Sequence, residues 1–143
     1  MKRGPYRYAF GAVMLTLAVA CSAEVAIDAK TSGVEAVAGA EANLEQALKA
    51  DRDFAAMAKA EGHKPAFLKY LHPTDSRFLQ PGGEARGAEA IAAGFDQSPP
   101  GFMVSWTPDG GHGSASGDLA VTTGLYNITI GDQTIEKGRY VTV

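Results

Sequence analysis

One cysteine, one tryptophan and no large surplus of charge of either sign in 143 residues remove several classes of protein at once. A single Cys cannot close an internal disulfide, so the fold must hold by packing alone. The longest apolar stretch, residues 9–20, is interrupted by Gly11 and Thr16. It counts only about 12 residues, where a hydrocarbon core takes about 20, so no permanent transmembrane helix is expected. With 13 Lys+Arg against 16 Asp+Glu, the chain lacks the basic excess with which nucleic-acid binders hold phosphates. Metal-ligand patterns are missing as well. His63, His72 and His112 lie beside turn signals, no two are spaced i, i+4, and no His-Glu-x-x-His motif or Cys/His cluster occurs. They read as surface or loop histidines, and no metal or other cofactor is implied. What the chain does have is 17 Gly and 45% hydrophobic residues, the composition of one turn-rich globular domain.

The N-terminus reads as an address. Lys2, Arg3 and Arg7 precede the short apolar run, the pattern of a secretory signal over residues 1–20. The run ends at Leu17-Ala18-Val19-Ala20-Cys21, which resembles a lipobox and makes Cys21 the expected lipidated first residue of an exported, membrane-anchored protein. Cleavage near Ala20 or Ala23 by an ordinary signal route is the alternative. Loss of residues 1–20 leaves 10 basic against 16 acidic side chains, so acyl chains rather than surface charge would hold the domain to its membrane.

Residues 21–39 read as a tether and the start of a helix, with 22–33 polar and aperiodic. Helical periodicity spans about 34–61, tightest from Ala40, with Leu44, Leu48, Phe54, Ala55 and Met57 among its apolar positions. A second short helix is expected over 64–71, a small hairpin over 76–87, and a third helix over 89–95. Strands follow at 102–108, 118–130 and 133–143, the last two joined by Gly131-Asp132. Helices first and long strands after argue an α+β fold with helices on one face of an antiparallel sheet.

Several blocks then resemble a known family. They are Asp51-Arg52-Asp53-Phe54-Ala55-Ala56-Met57-Ala58, Ala66-Phe67-Leu68-Lys69-Tyr70-Leu71, Pro81-Gly82, Gly87-Ala88-Glu89-Ala90-Ile91, Trp106-Thr107-Pro108, Ser114-Ala115-Ser116-Gly117-Asp118-Leu119, Thr123-Gly124-Leu125-Tyr126 and Gly138-Arg139-Tyr140-Val141-Thr142-Val143. Their order and spacing resemble the DUF4440 and SnoaL-like branch of the nuclear transport factor 2-like superfamily. The resemblance implies that residues 40–143 form a cone, a curved antiparallel sheet wrapped around N-terminal helices with a pocket at its open end. It implies no single activity, because the relatives include isomerases, cyclases, dehydratases and non-catalytic dimers. Similar proteins usually run one more strand where this sequence stops at Val143. The expectation is a C-terminally truncated cone with an unpaired edge, or one whose edge a second protomer supplies.

The chemistry is open between two classes. Gly113-Ser114-Ala115-Ser116-Gly117 has Ala115 where a nucleophile elbow needs Ser, and Gly110-Gly111-His112-Gly113 lacks the ending of a phosphate loop; both read as turn material. Asn127-Ile128-Thr129 is a sequon that means little in a chain with a bacterial-type export signal. Phe54, Met57, Tyr70, Phe78, Trp106, Tyr126 and Tyr140 come from the first two helices, the hairpin and all three long strands and are candidate ligand-lining residues, with a plain hydrophobic core as the alternative. Asp51 shares a helical stripe with Leu44, Leu48 and Ala55, while Asp53 points about 200° away from it. An enzyme would use Asp51 as base and Tyr126 or Tyr140 as acid or oxyanion donor; the alternative for Asp51 is a buried carboxylate that hydrogen-bonds sheet or loop groups. A binding module would take a small apolar or amphipathic ligand, or form a homodimer, through the same cone.

Overall fold

The computed structural model describes residues 17–80 and 82–143, with side chains from residue 33 onward. Helix α1 covers Leu17–Glu61 and α2 His63–Tyr70; a hairpin of β1, Arg77–Gln80, and β2, Gly83–Arg86, follows. Helix α3, Ala88–Ala93, leads through a single 3₁₀ turn into β3, Phe102–Gly113, β4, Ala120–Ile130, and β5, Gln133–Thr142. The fold is α+β: helices first, then a three-stranded antiparallel sheet in the order β3-β4-β5, with β1-β2 as a separate two-stranded sheet.

Helix α1 is longer than the periodicity predicts. At 45 residues it is about 67 Å long and runs through 22–33, the stretch expected to be a tether. Three Ala with Glu24 and Lys30 there are good helix formers, and Gly33 is a single weak interruption. Most of the expected signal segment, residues 1–16, lies outside the described residues. Cys21 stands on α1, and its side chain is outside the described part. Among the described residues no helix is long and apolar enough to cross a membrane.

Among the residues whose side chains are described, α1 packs on the domain from about Gly39 onward. Leu48, Asp51 and Ala58 are buried in one stripe, whereas Val34 and Val37 are exposed. Gly62, at φ +95°, turns the chain so that α2 folds back, and Ala66 and Phe67 become buried on its inner side. Phe67, Ile91 and Ala92 form the buried cluster, with Phe54, Leu71, Phe95 and Trp106 packed around it.

In the large sheet, Trp106 lies opposite Tyr126 and Gly124 opposite Tyr140, so residues of even number from 120 to 128 on β4 share the face toward α1. A register shift between Pro108 and Gly110 then brings Gly111 and Gly113 to that face. The run expected to be a turn is therefore strand. A Cβ on Gly113 would lie 2.4 Å from the Ala40 carbonyl oxygen of α1, so the glycines let helix and strand approach closely. Asn127, the sequon residue, sits mid-strand in the central β4.

Candidate functional site

Asp51 is buried, 7% exposed, and is met by one side chain from each strand of the large sheet. Trp106 of β3 donates its indole N–H to Oδ1 at 2.8 Å. Thr122 of β4 and Tyr140 of β5 donate their hydroxyls to Oδ2 at 2.7 and 2.8 Å. One carboxylate on a helix thus fastens all three strands. Two Gly-x-Tyr segments set the positions of the tyrosines: Gly124 faces Tyr140, and Tyr126 faces Gly138. A Cβ on Gly124 would come within 2.6 Å of the Tyr140 ring, and one on Gly138 within 2.7 Å of the Tyr126 ring. Each ring therefore packs against the glycine of the neighbouring strand, which fixes where its hydroxyl ends.

The structure brings Asp51, Trp106 and Tyr140 together and sends Tyr126 elsewhere. The Tyr126 hydroxyl donates to the Glu136 carboxylate instead of joining Asp51. Phe54 is the hub of the aromatic set: it meets Phe67 edge-on at 4.8 Å, stacks on Tyr70 at 5.0 Å and meets Trp106 edge-on at 4.9 Å. Phe78 borders this set, its ring 6.2 Å from that of Phe67, and Met57 is half-buried on α1. Thr122 and Glu136 were not singled out in the sequence. The signal for both is the alternation counted from the Gly-x-Tyr segments, which puts each on the inner face two residues before a glycine.

Chemically, the Asp51 cluster is closed. A general base needs a lone pair aimed at substrate, and an oxyanion donor needs a free O–H. Here both carboxylate oxygens already accept hydrogen bonds, and the Tyr140 proton is committed to one of them. Burial, then the hydrogen bond from Tyr140 to Asp51, raise the Tyr140 pKa well above its ordinary 10.0. The folded state holds this proton more tightly than the unfolded chain does. The stability it contributes is complete below about pH 10 and is lost as pH rises through that value toward the folded pKa. Urea unfolding between pH 8 and pH 11 is expected to show a steeper alkaline loss for the wild type than for Tyr140→Phe. Parallel losses would contradict this assignment.

His63 departs from expectation. It is 8% exposed rather than on the surface, and its Nε2 lies 2.9 Å from the carbonyl oxygen and 3.0 Å from the amide nitrogen of Val104. Its ring stacks on Phe95 at 4.8 Å. Beside it lies a cavity of about 260 Å³ between the start of α2 and residues 95–102, with the Lys64–Asp96 ion pair among its lining residues. Asp51, Trp106, Thr122 and Tyr140 do not line it. Among the described residues no group of three or more His, Cys, Asp or Glu could hold a metal ion. Compared with protein-family models, curated proteins and solved structures, the chain has no match.

Proposed function

We propose that this chain is an exported module of the nuclear transport factor 2-like type, anchored by a lipid on Cys21, that binds a small apolar or amphipathic ligand against the inner face of its sheet. The observation that carries this reading is the open side of the aromatic set. Phe54, Tyr70, Trp106 and Tyr126 are each half-buried, Phe78 is exposed, and among the described residues no large side chain is fully buried. Covering such surface is favourable by roughly 25 cal/mol per Å² of apolar area removed from water. Aromatic walls with a few placed polar groups are the usual make-up of small-molecule sites. The carboxylate of Asp51, already accepting three hydrogen bonds from the strands, supports a binding use over the catalytic alternative of Asp51 with Tyr140. The helices-then-sheet order supports the cone reading.

The one tryptophan, Trp106, reports on the site directly. Titration with decanol below its solubility limit is expected to shift Trp106 emission to the blue with saturation. Tyr126→Ala is expected to weaken that binding severalfold without unfolding the chain. An emission that no ten-carbon amphiphile moves would sink the proposal. The intact mass of membrane-extracted protein tests the anchor: retained residues 1–20 would exclude it.

A further inference from the structure

We propose that the ligand's head group is a cation, an amine or quaternary ammonium held between Glu136 and the ring of Tyr126, with its tail crossing the aromatic set. This rests on the binding reading above. Strand alternation sorts the charges of the large sheet by sign on the inner face. Lys137, Arg139 and Asp109 lie on the outer face, where Arg139 pairs with Asp109 at 2.9 Å. Inside, the strands contribute one charged residue, Glu136, and α1 adds Asp51; both are acids.

The two acids are not equally available. Asp51 is buried and already receives three donors. Glu136 is exposed, and the described residues give it one hydrogen-bond donor, the neutral phenol of Tyr126. That hydrogen bond raises the Tyr126 pKa, so the phenol keeps its proton at pH 7. The Tyr126 ring is pinned over Gly138 and lies next to Trp106 in register. A carboxylate beside aromatic faces is the combination that recognises ammonium groups, by ion pairing and by attraction to the ring quadrupole. The Lys69 ammonium stands over the Tyr70 ring, 5.5 Å from its centroid. A cationic head is therefore drawn to Glu136, and the tail is left to Phe54 and Tyr70. An anionic head would face Glu136 and Asp51 with no Lys or Arg on the inner strand positions to balance it.

The test uses the full chain and three probes that share a ten-carbon tail: decylamine, decanol and decanoate, each below micelle formation at pH 7. Trp106 emission is expected to give decylamine about tenfold tighter binding than decanol, with decanoate weakest, the size an exposed ion pair plus a cation–π contact supports. Glu136→Gln is expected to bring decylamine down to the level of decanol while leaving decanol unchanged. Glu89→Gln, an equal change of net charge on α3, is expected to preserve the preference. Saturable decanol binding with no preference among heads, or a preference that survives Glu136→Gln, overturns the cationic head alone. A Trp106 emission silent to all three probes overturns the binding reading and this inference with it.

Discussion

Asp51→Ala is expected to lower the unfolding free energy by about 3 kcal/mol, read from the urea midpoint of Trp106 fluorescence. The substitution deletes the acceptor of three donors at once: the Trp106 indole, the Thr122 hydroxyl and the Tyr140 hydroxyl. Thr122 is 4% exposed, so water does not easily replace its lost partner. Trp106 and Tyr140 are half-buried and recover part of their hydrogen bonding from solvent. The cost therefore lies at the upper end of one orphaned buried donor, worth about 1–3 kcal/mol, and falls short of three such donors.

Asp51→Asn separates hydrogen bonding from the other effects of the residue. Its amide oxygen can accept from Trp106, while its NH₂ group takes the place of Oδ2 and donates to Thr122 and Tyr140, whose hydroxyls rotate to become acceptors. The expected loss is about 1 kcal/mol, a third of that for Ala. Decanol binding is expected to survive in Asp51→Asn, because the carboxylate faces its strand partners and not the ligand. If Asn proves as damaging as Ala, the ionised carboxylate itself is required and the fastening role given to its hydrogen bonds is wrong.

Local order was legible in the sequence, and pairing across the fold was not. The stripe of Leu44, Leu48 and Ala55 places Asp51 inward because helical period alone decides which residues share a face. Gly131-Asp132 marks the β4–β5 turn because Gly131, at φ +57°, occupies a backbone region that side chains disfavour. Which tyrosine reaches Asp51 depends instead on register. Tyr126 and Tyr140 have the same local setting, each two residues after a glycine, and only their pairing partners send one to Asp51 and the other to Glu136. Two Gly-x-Tyr segments on antiparallel neighbours did hold a readable hint, since a ring over a glycine is a cross-strand arrangement. His63 was unreadable for a different reason: its burial comes from Val104, 41 residues away, and from Phe95 on another segment. The helix through 22–33 is not legible in the sequence because Thr31-Ser32-Gly33 reads as a break ahead of the tighter periodicity.

The alternation around the register shift in β3 gives a second large expected effect. Gly113→Ala is expected to destabilise the fold by roughly 3 kcal/mol, the upper end of the usual cost of overpacking, while Gly110→Ala stays within about 0.5 kcal/mol of wild type. The two glycines differ in face, not in strand. A Cβ on Gly110 points outward, its nearest neighbour the Thr123 hydroxyl oxygen at 3.9 Å. A Cβ on Gly113 would meet the Ala40 carbonyl oxygen at 2.4 Å, the Leu44 amide nitrogen at 2.8 Å and the Asn43 Cβ at 3.1 Å. Two of these three are backbone atoms of α1, so no rotamer change relieves the contact and the helix itself must move. Gly39 shows the reverse closeness, since a Cβ there would lie 2.7 Å from the Ala115 carbonyl oxygen. Asn43 reaches the Leu119 carbonyl at 2.6 Å in the same region, and a displaced helix loses that bond as well. Amide hydrogen exchange localises the effect: Gly113→Ala is expected to speed exchange over residues 39–47 and 114–119 while Leu48 to Ala58 keep their protection through the Asp51 cluster. Equal midpoints for the two alanine variants would show that close approach of α1 to β3 is not what the glycines provide.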